Sequence, residues 1–154
     1  MSTKLEDLQP DVQFKAREGL TDLADACIPF VVTSTLRTLD EQIALYAQGR
    51  QPLAAVNVLR AKAGMAPIVQ RLARDGSLHS DNDYTVTNCD GWKFKSNHQS
   101  GRALDITPEE NGGAVWPDPA DPRWKQIADV MKRAGFAWGG DWPQFPDYPH
   151  YEMV

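Results

Sequence analysis

The chain has 154 residues, 42% of them apolar and 24% charged. That balance excludes a disordered or fibrous chain and suits a single domain, 1–154, with a buried core of its own. A net charge of −5 and a sequence pI near 5.1 exclude the basic footprint of a nucleic-acid binder, and no run approaches the roughly 20 apolar residues that membrane insertion needs.

Short basic clusters (Arg71 and Arg74, Lys93 and Lys95, Lys132 and Arg133) are broken by acids and apolar residues, so they read as solvated faces. Cys27 and Cys89 lack CxxC-like spacing and are expected to stay unpaired, in a chain suited to a reducing compartment. Cys27 closes an apolar helical pattern and is expected as a buried thiol. The first ten residues carry no apolar stretch of a secretory signal, which leads to the expectation of a chain that stays in the cytoplasm unless another factor releases it; separately, a monomer is expected.

Pro10 suits the first turn of a helix, and Val12, Ala16, Leu20, Leu23 and Cys27 recur at helical spacing, predicting an amphipathic helix over 10–26. Residues 28–35 are rich in β-branched side chains and read as a buried strand. Thr38-Leu-Asp-Glu41 is a capping box that starts a helix running to Gly49. Pro52 opens another helical stretch towards Gly64, and 67–74 reads as one more short helix. Residues 75–91 read as loop with a short strand near 84–87. A strand is predicted at 103–107, a helix from Asp121-Pro122 to Gly135, a strand at 136–138, a turn at Gly139-Gly140 and a last strand at 151–154. Helices first and short strands later predict an α+β fold, a small antiparallel sheet flanked by helices.

The stretch Ser96 to Asp105 is the most informative. Histidine and aspartate are both good zinc ligands, with metal bonds of about 2 Å. Seven extended residues would span roughly 23 Å, so His98 and Asp105 meet at one metal only if the chain doubles back, and Ser100-Gly101 is where it could. Taken alone, the pair fits a capped turn with a surface histidine better. The C-terminal stretch shifts the balance. Pro149 restricts Tyr148 to extended geometry and fixes its own φ, so His150 leaves a rigid segment with Asp147 three residues earlier. A catalytic zinc site wants three protein ligands, an open position, and a carboxylate close by as general base. His98, Asp105, His150 and Asp147 fill those four roles.

The pattern SxHxxGxAxD at 96–105, followed by Gly-Gly-Asp-Trp at 139–142 and Asp-x-Pro-His at 147–150, resembles the zinc DD-peptidases, including the VanY-type carboxypeptidases. More narrowly it resembles the L-alanyl-D-glutamate endopeptidases that serve bacteriophages as endolysins. The resemblance spans most of the chain, with 51–90 matching only loosely. It implies the Hedgehog/DD-peptidase-like fold, one Zn2+ held by His98, Asp105 and His150, water activated by Asp147, and an oxyanion steadied by Arg37. It also implies substrate contacts at Ser96 and Gln42. Without the family, Arg37 is an arginine after a strand and fits a surface ion pair, and Gln42 fits an exposed helix position equally well. Trp142, beside the metal loop, is a candidate to line the cleft, whereas Trp124 and Trp138 fit core positions. His79 matches no motif and reads as a solvated loop residue.

The implied substrate is the peptidoglycan stem peptide, cut between L-Ala and D-Glu. A D-Ala-D-Ala carboxypeptidase or dipeptidase uses the same metal site and is the alternative within the class. A zinc-stabilised binding module is the alternative outside it, though such a module has no need of Asp147. His150 lies almost at the end of the sequence, so no separate wall-binding domain is expected. An enzyme of this design reaches the wall once the inner membrane is breached, for example by a holin.

Overall fold

The computed structural model describes residues Met1–Val154. Its elements are α1 (Pro10–Asp25), β1 (Phe30–Ser34), α2 (Leu39–Ala47), α3 (Leu53–Lys62), β2 (Arg71–Leu72), β3 (Leu78–His79), β4 (Ala103–Glu110), β5 (Gly113–Ala114), α4 (Pro122–Arg133), β6 (Ala137–Trp138) and β7 (His150–Glu152). The fold is α+β with an antiparallel main sheet, as the order of elements implies. The residues gather into two units, Ser2–Leu36 with Ser100–Val154, and Met1 with Arg37–Gln99.

The first unit holds the main sheet, in the order β1-β4-β7-β6, with β5 paired to β4. β4 is its central strand, and burial along it is nearly continuous rather than alternating, because both faces are covered. Leu104 and Ile106 on β4 meet Val12, Ala16 and Leu23 of α1, and Ile127 and Met131 of α4, in one apolar core. Each of the larger side chains among them contributes about 1.5–3 kcal/mol by leaving water. Between Val32 and Ser34 the register of β1 against β4 shifts by a bulge, next to the pair Ser34↔Asp105. Asn111 and Gly112, with φ of 53° and 81°, close the β4–β5 hairpin.

Three helices end in the same hydrogen-bond pattern, a left-handed residue followed by a turn back onto the last turn of helix. Gly64 and Gly135 supply that residue after α3 and α4, and Cys27 after α1, at φ 55°. The expectation of a buried thiol is therefore corrected. The cap turns the chain at Cys27, Ile28 N donates to Leu23 O at 3.0 Å, and the Cys27 thiol is exposed.

In the second unit Thr38 Oγ1 accepts from Glu41 N and Thr38 N donates to Glu41 Oε2, the reciprocal cap expected for α2. The amino terminus of Met1 pairs with Glu41. A small core of Ala47, Val56 and Ile68 joins α2 and α3. Two expectations fail here. Residues 67–74 are not helical: the Asn57 side-chain amide clamps the backbone of Ile68 through both its polar atoms, at 2.8 and 2.9 Å, and the Asp75-Gly76 turn folds β2 against β3. Residues 84–87 form no strand; no strand pairs with them, and Arg50 donates to Thr87 O and to Asn88 Oδ1. His79 lies at the end of β3 rather than in a loop, exposed, with its ring against Ser77 and Asp83.

Gly19 sits mid-helix in α1, where glycine costs about 1 kcal/mol relative to alanine. A Cβ there would lie 2.7 Å from Met131 Sδ and 3.1 Å from Ala134 Cβ, so its absence allows α1 to approach α4. Gly19→Leu should lower stability by about 1–3 kcal/mol through overpacking, read as a fall in the urea midpoint at constant slope. An unchanged midpoint would contradict the close approach of these helices.

Candidate metal centre

Antiparallel pairing sets Asp105 on β4 directly opposite His150 on β7. The His150 ring is buried, and its Nδ1 stands 3.4 Å from Asp105 Oδ1. Its Nε2 stands 2.9 Å from Glu152 Oε2. Burial alone would push this imidazole down. Hydrogen bonds to Asp105 and Glu152, with the charges of Asp105 and Asp147, outweigh burial and push it up to about 9. Carboxylates thus surround the ring, and their field favours a cation beside it.

The loop that carries Asp147 and His150 is held by aromatics. Trp138 Nε1 donates to Tyr148 O at 2.7 Å, and the Trp138 and Trp124 rings lie 5.8 and 6.0 Å from that of Tyr148. Pro149 O accepts from Ile106 N at 2.8 Å, tying the loop to β4. Gly139 and Gly140 serve space here. A Cβ on Gly139 would lie 2.5 Å from Asp147 O and 3.0 Å from His150 Cβ, and one on Gly140 would lie 2.2 Å from the Trp138 ring. Gly139 O also accepts from both Asp147 N and Trp142 N. Trp142 lies against His150, with ring centroids 5.0 Å apart.

His98 lies in the 3-10 turn Asn97–Ser100, followed by Gly101 at φ 68°, so the chain reverses where a reversal is expected. The ring is 1% exposed. His98 N donates to Ser96 Oγ at 3.3 Å, and His98 O accepts from Arg37 N at 3.1 Å. Arg37 Nη1 donates to Gln42 Oε1 at 2.9 Å. Gln42 is fully buried rather than exposed, and its Nε2 donates to Cys89 O at 2.6 Å. Arg37, Gln42, Ser96 and His98 therefore form one hydrogen-bonded cluster. Sequence reasoning places these residues but misses two that support them. Gln99 bridges Ser96 N and Gly91 O, and Glu152 faces the outer nitrogen of His150. An acid two residues after a strand histidine shares its face, which is the signal that could have found Glu152.

Ligand atoms of His98, Asp105 and His150 all lie within 4.8 Å of one another. Two atoms bonded to one tetrahedral zinc at about 2 Å are some 3.3 Å apart, and the Nδ1–Oδ1 distance of 3.4 Å matches that edge. Two imidazoles and one carboxylate fit zinc in both number and type, leaving a position open. This set can hold a metal ion.

A family model described as D-alanyl-D-alanine carboxypeptidase matches residues 90–153. The chain is 30% identical over 155 residues to the peptidoglycan L-alanyl-D-glutamate endopeptidase CwlK of Bacillus subtilis, covering 96% of this chain and 74% of that protein. It is 34% identical over 60 residues to the L-alanyl-D-glutamate peptidase of a Listeria phage, which is 39% of this chain and 21% of the phage protein. Among solved structures, the zinc-containing D,D-pentapeptidase VanY of a VanB-type vancomycin-resistance cassette superposes with a TM-score of 0.57. That match has 14% identity and covers 96% of this chain and 72% of VanY, a likeness of fold.

Proposed function

The chain belongs to the zinc DD-peptidase family, and from that membership we propose that it hydrolyses the L-Ala–D-Glu bond of the peptidoglycan stem peptide with one zinc ion held by His98, Asp105 and His150. The observation that carries this reading is the convergence of those three side chains. The chain is a peptidoglycan peptidase rather than a binding module. When bound, zinc supplies Lewis acidity towards the scissile carbonyl and lowers the pKa of water.

The rest of the work falls to the chain's own groups. Asp147 takes the proton from the attacking water and passes it to the departing amine of D-Glu. Its carboxylate sits on a turn pinned by Gly139 O and by the His150 amide, which donates to Asp147 O at 3.2 Å. Arg37 presents a fixed guanidinium to the developing oxyanion. Gln42 acts through Arg37, since its own amide is already engaged at both ends. Ser96 and Trp142 contact the stem peptide.

Purified protein should carry close to one zinc per chain by elemental analysis, and chelation should abolish release of peptide from sacculi. A new N-terminal D-Glu on the product names the L-Ala–D-Glu bond; release of D-Ala instead would assign the carboxypeptidase activity of the same fold. Full activity in metal-free protein would contradict the mechanism.

Asp147→Asn keeps shape and removes the base. Its hydrolysis rate should fall by about 10²–10⁴-fold while zinc content holds. His150→Ala should lose activity and most of the zinc together. Loss of zinc from Asp147→Asn would make Asp147 a ligand instead.

The likeness to a phage enzyme supports an endolysin role, with access to the wall from the cytoplasm after membrane breach. Cells expressing the chain alone should keep their optical density, then clear within minutes of adding chloroform. Clearing before any breach would contradict this role.

A further inference from the structure

His150 has two ring nitrogens, and each meets a different carboxylate. Nδ1 faces Asp105 Oδ1 at 3.4 Å, whereas Nε2 faces Glu152 Oε2 at 2.9 Å. The group of convergent ligand atoms contains Asp105 and does not contain Glu152. The distance on the Nδ1 side matches an edge of a tetrahedral metal site, while the distance on the Nε2 side is that of a charge-assisted hydrogen bond. We infer that Glu152 is a positioning residue: it accepts the Nε2 proton of His150 and so holds the ring in the tautomer whose Nδ1 lone pair points at the metal.

The fold provides for this contact. Glu152 lies two residues after His150 on β7, on the same face of the strand. Its partners across the sheet are Ala103 on β4 and Ala137 on β6. Two methyl side chains leave the space that Glu152 needs to lean back along the strand, and its side chain is only 17% exposed. A neutral imidazole donates through one nitrogen and accepts through the other, so whichever partner holds the proton decides which nitrogen is free to bind metal. Were Nδ1 to carry the proton, it would point at Asp105 and occupy the place of the ion. A carboxylate on the far nitrogen prevents that arrangement and raises the basicity of the ligand.

This inference rests on His150 being a zinc ligand, and the experiment separates the two. Zinc dissociation constants of the full chain are measured by competition with a chromophoric chelator for wild type, Glu152→Gln, Glu152→Ala and His150→Ala. The protonated ring nitrogen of His150 is assigned by 15N NMR in the zinc-loaded protein. Glu152→Ala should weaken zinc binding by about 10–100-fold, and Glu152→Gln by less, because its amide oxygen still accepts the proton. The Gln variant preserves shape, so it stays informative if the Ala variant folds poorly. In wild type the proton should be found on Nε2. Unchanged zinc affinity in Glu152→Ala, or a proton on Nδ1, would overturn the inference while leaving the metal site intact. Full zinc retention by His150→Ala would instead overturn the ligand assignment beneath it.

Discussion

Opposition of Asp105 and His150 across β4 and β7 is the constraint on which the chemistry of the sheet unit depends. Directly paired residues of an antiparallel ladder hold their side chains about 5 Å apart on one face, close enough to share an ion. Everything around the pair maintains that register. The bulge in β1 falls beside Asp105, Pro149 O is tied to Ile106 N, and the apolar core beneath β4 resists any slip, since a shift of one residue would turn Leu104 and Ile106 outwards.

Electrostatics follow from the same pairing. Asp105, Glu152 and Asp147 all act on the His150 ring, and their combined pull overcomes the effect of burial. The same carboxylates favour positive charge at the ring. The carboxylates also divide by position. Asp105 lies on the side of the ring that converges with His98, Glu152 lies behind the ring, and Asp147 stands on a separate turn fixed through Gly139. Under the proposed mechanism these three acids take three roles, ligand, orienter and base.

The Gly-Gly-Asp-Trp segment shows how a motif encodes space. Neither glycine there has a positive φ, so the requirement is not for left-handed backbone. Gly139 leaves room for Asp147 and His150, and Gly140 leaves room for the Trp138 ring. That ring in turn holds Tyr148, the residue between Asp147 and the rigid proline. The tryptophans assigned to the core by helix and strand spacing therefore also form the wall against which the loop of Asp147 is braced.

Local rules make much of this protein legible from its residues alone. Helix starts at Pro10, Thr38 and Asp121-Pro122, helix ends at Gly64 and Gly135, and the reversal at Gly101 are each decided by one residue's backbone chemistry, and each is found where the sequence puts it. The Asn111-Gly112 hairpin carries a local signal too, one that strand periodicity does not bring out. What the sequence could not decide depends on partners distant along the chain. Residues 67–74 carry a helical pattern, yet Asn57 claims the backbone of Ile68. Residues 84–87 look like a strand, yet no strand pairs with them and Arg50 holds the Thr87 carbonyl instead. Cys27 continues an apolar stripe, yet the cap turns it outwards. For the site, residue type and spacing bring His98, Asp105, His150 and Asp147 together, and the family resemblance separates the three ligands from the base. That Asp105 stands opposite His150 is decided by the β4–β7 register, because only the pairing of strands far apart in sequence sets which side chains face each other.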